Sequence, residues 1–202
     1  MPHAEIAVAA APSLTAVLFG LSGCLVDFGS LARSDSPCAD AEATPGALKI
    51  LRSLKEQGVP CAWLDELPPA VTTPLCAGLP GWLKATSPSS IRWPAPHACW
   101  QALMELNIER LEGCVLVSGE PRLLQSGLNA GLWTIGLASC GSLCGLSPQQ
   151  WQALTEQQRE HKRGKATVAL YGLGVHSVID HLGELGTCLA DIRLRQLKGE
   201  KP

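Results

Sequence analysis

The sequence predicts an α/β fold with a parallel sheet covered by helices on both faces, and three observations carry that expectation. Segments that read as strands alternate with segments that read as helices, glycine-bearing turns between them are short, and strand-like runs such as CVLVS are apolar enough to be buried. With 202 residues, 46% of them hydrophobic and 17% charged, the chain is long enough to bury a substantial core.

The elements follow in order. The apolar run from Ala16 to Phe19 is the first strand, preceded by an Ala-rich leader. Thr44, Pro45 and Gly46 open a helix, ALKILRSLKEQ, in which Leu48, Leu51 and Leu54 recur at helical spacing before Gly58 closes it. VPCAWL is a buried strand, a short helical segment follows Pro68 and Pro69, and GWLKAT is a further strand before the Pro/Ser loop SPSSIRWPAP. Pro96 starts the amphipathic helix HACWQALMELNI, with Trp100, Leu103 and Leu106 on one side. CVLVS, PRLLQSGLNAG and LWTIGLA read as strand, helix and strand. A polar-faced helix spans 149–163, VHSVI is a last short strand, and HLGELGTCLADIRLRQL closes the fold with its basic residues toward the end that the helix dipole favours. The organisation expected is a flexible leader over 1–13, one core domain over 14–197 and a tail over 198–202.

Charge and composition exclude several roles. A net charge of −2 leaves no basic footprint for nucleic acid, and the short run His161–Lys165 reads as a solvated helix end. The uncharged stretch from Ile6 to Val26 lacks the basic flank of a signal peptide and is interrupted by Pro12, Ser13 and Thr15, so neither export nor a membrane span is expected. Nine scattered cysteines in an odd count read as reduced thiols packed as small hydrophobes, which suits a cytoplasmic protein. Cys140 and Cys144 are spaced closely enough for a zinc site only if further ligands join them; His161 and His176 are the candidates, and nothing in the sequence places them there.

Ligands of such sheets bind at the carboxyl ends of the strands, where the stretch VLFGLSGCLVDFGS lies. That stretch resembles the opening motif of the haloacid dehalogenase superfamily, and its VDFGS ending resembles phosphonoacetaldehyde hydrolases in particular. RWPAPHACWQALMELNI, SGLNAGLWTIGL, CGSLCGLSPQQWQAL and GVHSVIDHLGEL are similar to later segments of that family in the same order. The resemblance runs from about Ala16 to Leu185 and implies a three-layer, Rossmann-like core.

The same resemblance implies a catalytic apparatus that these residues do not supply. The nucleophilic aspartate and the acid/base position two residues later fall on Gly20 and Ser22. The magnesium-binding acids fall on Gly119 and Leu123, with Glu120 one residue away from the first. The phosphate-gripping arginine falls on Trp93, with Arg92 one place earlier, and the usual Ser or Thr after the second strand falls near Asp65, a negative charge. Where the family inserts a cap domain carrying a Schiff-base lysine, this chain has LARSDSPCADAEAT, without lysine.

The expectation is therefore a capless fold without catalytic residues or cofactor, whose vestigial cleft (Gly20, Ser22, Cys24, Asp65, Arg92, Glu120) serves to bind an unidentified protein partner or small ligand. Trp63, Trp82, Trp93 and Trp100 are candidates to fill that hollow, ordinary core packing being the other reading. The alternative is a hydrolase in which Asp27, Asp65, Glu66 and Glu120 rebuild a magnesium site.

Overall fold

A computed structural model describes residues 14–34 and 41–202; the expected leader lies outside the described residues. A six-stranded, wholly parallel sheet forms the centre: β1 (Ala16–Gly20), β2 (Cys61–Leu64), β3 (Lys84–Ala85), β4 (Cys114–Ser118), β5 (Trp133–Leu137) and β6 (Ser177–Ile179). Its order is β3-β2-β1-β4-β5-β6, so the chain turns back across the sheet between β1 and β4. That reversal opens a crevice at the carboxyl ends of these two strands, the place where doubly wound sheets hold ligands.

Alternation along the strands assigns each side chain to one layer. Val17, Phe19, Val115, Val117, Trp133 and Ile135 pack against α1 (Ala47–Glu56) and α7 (Leu185–Leu197). Ala16, Leu18, Ala62, Leu64, Cys114 and Leu116 face the opposite way, toward α3 (His97–Glu105) and α4 (Pro121–Asn129). The central strand β1 is buried at every position, and at about 25 cal/mol per Å² each fully covered Leu or Phe contributes roughly 2 kcal/mol. A short helix, α2 (Pro69–Leu75), covers a smaller cluster of Leu21, Val26 and Ala32 at the carboxyl edge.

Three expectations need correction. The helix placed over 149–163 is two helices, α5 (Pro148–Ala153) and α6 (Glu156–Gly172), and the second runs well past Arg163 because Ala166 and Leu170 have a core to enter. The break occurs because Ser147 and Thr155 each form a full capping box, with Gln150 and Gln158, leaving Leu154 extended between them. Leu48 does not share the buried face of Leu51 and Leu54; it is 45% exposed and Ala47 takes its place. On α3, Trp100 is likewise exposed, while Ala98, Cys99, Ala102 and Leu103 are buried. None of the described helices is long and apolar enough to cross a membrane.

Candidate functional site

The crevice between β1 and β4 is the place to test the catalytic reading, and it is filled from within. After Gly20 the chain curls tightly: Leu25 and Val26 both donate to the Leu21 carbonyl, and Gly23 donates to Val26 and Asp27. Asp27 holds this curl. Fully buried, it accepts from the Ser22 hydroxyl at 2.6 Å and from the Leu31 and Ala32 N–H groups at 3.1 and 3.0 Å. Its carboxylate is thus spent on neighbouring donors, and its φ of 56° is one that Asp tolerates better than most residues.

At Gly20 a side chain would start 2.8 Å from Ser118 Oγ and 3.4 Å from Leu123, which is itself fully buried. Ser118 Oγ accepts from the Glu120 N–H at 3.0 Å. Gly119 is more confined. A Cβ there would lie 2.4 Å from the Gly141 Cα and 2.4 Å from the Gly23 carbonyl oxygen, and the approach is reciprocal, since a Cβ on Gly141 would meet Gly119 O at 2.4 Å. The Ser142 N–H donates to Gly119 O at 3.2 Å, and Gly29 N–H donates to Cys140 O at 2.8 Å. The loops after β1, β4 and β5 are therefore zipped backbone to backbone across the mouth of the crevice.

The surrounding acids are each engaged elsewhere. Asp65 is no solvated loop residue: its side chain is 1% exposed, and it accepts from Ser22 N–H at 3.1 Å, Leu67 N–H at 2.8 Å and the Arg33 guanidinium at 2.6 Å. Glu66 accepts from the Trp93 N–H and lies 3.5 Å from Arg122. Glu120 turns back to cap α4, accepting from Arg122 N–H. Among the described residues no group of three or more His, Cys, Asp or Glu is placed to hold a metal ion. The donors available at the mouth do not fit magnesium: Asp27 and Asp65 meet on Ser22 but, like Glu66 and Glu120, are spent on protein donors, and no third ligating side chain among the described residues joins them.

The remaining positions divide. Trp93 is 2% exposed, and the Arg33 guanidinium lies 5.2 Å above its ring, so this tryptophan is packed beside the crevice. Trp63 is half-buried against both the main core and the carboxyl-edge cluster of Leu21, Val26 and Ala32, Lys55 stacks on Trp82 at 5.6 Å, and Trp100 donates to Ala130 O on the outer face. Arg92 does not line the crevice; it is exposed, because burying Trp93 turns its neighbour outward. Cys24 also leaves it, fully buried with its thiol on the Val117 carbonyl at 3.4 Å. Burial pushes the Cys140 thiol up to about 12 and raises that of Cys144, which donates to Ala138 O at 3.0 Å. Both are poor thiolates. Neither histidine joins them: His161 is exposed on α6, and His176 packs on Trp133 at 4.8 Å. Reading the sequence missed Arg33, Arg122, Ser118 and Gly141, since their roles arise only from contacts between distant segments.

No family model matches the chain. The phosphonoacetaldehyde hydrolase of Psychromonas ingrahamii is 30% identical over 170 residues, which cover 80% of this chain and 57% of that enzyme. A crystal structure of a phosphonoacetaldehyde hydrolase-like protein from Oleispira antarctica superposes with a TM-score of 0.86 at 22% identity, covering all of both chains. A HAD family hydrolase from Deinococcus radiodurans, solved with bound phosphate and sodium, superposes with a TM-score of 0.65 at 20% identity over 90% of this chain and 96% of that one.

The chain is a haloacid dehalogenase-like protein related to the phosphonoacetaldehyde hydrolases. It spans less than two thirds of the length of the curated relatives it matches. In this haloacid dehalogenase-like protein the sheet, the curl after β1 and the reversal point are all present, and the mouth of the crevice is occupied by its own backbone.

Proposed function

We propose that this protein is a catalytically inactive, capless member of the superfamily that acts by binding a protein partner or a small ligand. The observation that supports it best is Gly119, where the family carries a metal-binding acid: a Cβ there would fall 2.4 Å from the Gly141 Cα and the Gly23 carbonyl oxygen, so the space for such a side chain is taken. The nucleophile position supports it too, since Gly20 has no group to carry a phosphoryl. A remodelled magnesium site would have to release Asp27, Asp65 and Glu66 from their present donors, leaving buried or part-buried N–H groups and the Arg33 guanidinium unpaired, and would have to take Glu120 from the cap of α4. The lysine-free segment LARSDSPCADAEAT, where the relatives' cap would be inserted, supports the capless part of the reading.

The test is a magnesium-dependent hydrolysis screen with phosphate esters and phosphonoacetaldehyde, with a Gly20→Asp variant alongside. The expected result is no turnover by either protein. Turnover by the wild type of the order of 1 per second or faster would overturn the reading. Activity in Gly20→Asp alone would place the whole loss on the nucleophile and refute the role given to Gly119.

A further inference from the structure

A cleft of about 380 Å³ lies beside the closed crevice, between the segment preceding α1, the turns after β5 and β6, α5 and the start of α6. It has room for about 13 water volumes, enough for a small organic molecule. One part of its lining is aromatic. Trp151 of α5, half-buried, lies against the buried ring of Phe28, with centroids 6.1 Å apart and planes tilted by 53°. The same tryptophan packs against the cluster of Ala138, the residue before Ser139 in the turn after β5.

The charged groups of the cleft are committed to one another. Arg163 bridges Glu156 at 2.8 Å and Asp180 at 3.0 Å. Arg159 donates twice to the Leu154 carbonyl and lies 3.5 Å from Glu156. Glu184 accepts from the Asp180 N–H at 3.1 Å and lies 3.9 Å from His181 Nε2, while His181 Nδ1 accepts from the Gly183 N–H at 3.2 Å. Glu42 is engaged as well. An ion of either sign would have to break one of these pairs to gain its own, whereas an uncharged ligand leaves them all intact. Ser139 is different. It lines the cleft at 5% exposure and donates its N–H to Asp180 O at 3.1 Å, but its hydroxyl hydrogen-bonds to none of the described residues and is not sealed from solvent. A hydroxyl so nearly buried is left to be satisfied by whatever occupies the cleft.

We propose that this cleft binds a small uncharged aromatic molecule, its ring stacked on Trp151 and a polar substituent of the carboxamide kind hydrogen-bonded to the Ser139 hydroxyl. The cleft is separate from the closed crevice, and its occupancy does not depend on whether that crevice retains any chemistry. The hydrolysis screen reads turnover and the titration below reads binding, so either can fail without the other.

Benzamide, benzoate and benzamidine share one shape and differ in charge, so titrating each into the full chain separates shape from charge. Binding is followed by calorimetry and by the NMR signal of the Trp151 indole N–H, assigned by its absence from Trp151→Leu. Benzamide is expected to saturate with a Kd of the order of 1 mM, and benzoate and benzamidine to bind at least about fivefold more weakly. Ser139→Ala should weaken benzamide about fivefold without lowering the melting temperature, because the hydroxyl it removes holds no protein group. Trp151→Leu should weaken it about tenfold. The proposal is overturned if benzamide does not saturate, if either ion binds as tightly as benzamide, or if Ser139→Ala binds with unchanged affinity. A Trp151→Leu chain that melts as the wild type does and binds equally well would overturn it too.

Discussion

Gly119 and Gly20 differ in what a methyl group would meet, and that difference sets separate expectations. At Gly20 the obstacle is the end of the Ser118 side chain, which can rotate; at Gly119 it is the backbone of two other loops, which cannot move independently. Gly20→Ala is expected to cost about 1 kcal/mol and Gly119→Ala about 3 kcal/mol or more, the upper end for overpacking, as measured by urea unfolding. Equal effects would mean that the loops yield readily. Arg33 offers a second test. Its guanidinium faces an Asp65 side chain that is 1% exposed, so Arg33→Met should destabilise by about 2 to 3 kcal/mol by leaving that carboxylate buried without its cation. Gly20 and Gly119 could be singled out from the sequence because each is a single position within a recognisable run, but the backbone crowding at Gly119 could not. The partners of Asp65 and Glu66 were not, because Arg33, Trp93 and Arg122 are distant in sequence and meet those acids only when the loops fold over the sheet.

Among the elements, α5 and α6 show how a local signal can be overlooked in favour of overall polarity. Ser147 and Gln150, then Thr155 and Gln158, repeat the spacing of a capping box, and each pair starts a helix. Ser147→Ala and Thr155→Ala should each cost about 1 kcal/mol. The Thr155 change should also loosen the start of α6, where Arg159 and Arg163 pair with Glu156, and hydrogen exchange over 155–163 checks this. Strands were easier to place than helix faces, because a buried parallel strand is apolar at nearly every position, whereas α1 and α3 each carry an apolar residue, Leu48 and Trp100, on the solvent side. The edge strand β3 shrank to two residues because it pairs on one side only, with β2.

Across the whole molecule, α7 is fastened to β5, next to the edge of the sheet, through His176. Its Nδ1 accepts from Thr134 N–H at 3.0 Å, its ring lies against Trp133, and Arg195 of α7 stacks on that indole at 4.8 Å while donating to His176 O at 3.0 Å. Burial, with the Arg195 charge second, lowers the pKa of His176 below its ordinary value of 6.5. The unfolded chain therefore gains this proton at a pH where the folded chain does not. Stability should fall as pH drops through about 6.5 and level off once the folded histidine also titrates. Melting curves at pH 7.5 and 5.5 check this, and His176→Asn should remove much of the difference.

The contact between Gly119 and Gly141 also has a consequence in time. Under the proposed function, with two loops resting on each other where the family carries an acid, an aspartate arising at Gly119 would be penalised in folding before it could be rewarded in chemistry. The packing would then work as a ratchet, and a lineage holding it would gain hydrolysis only by first parting the loops.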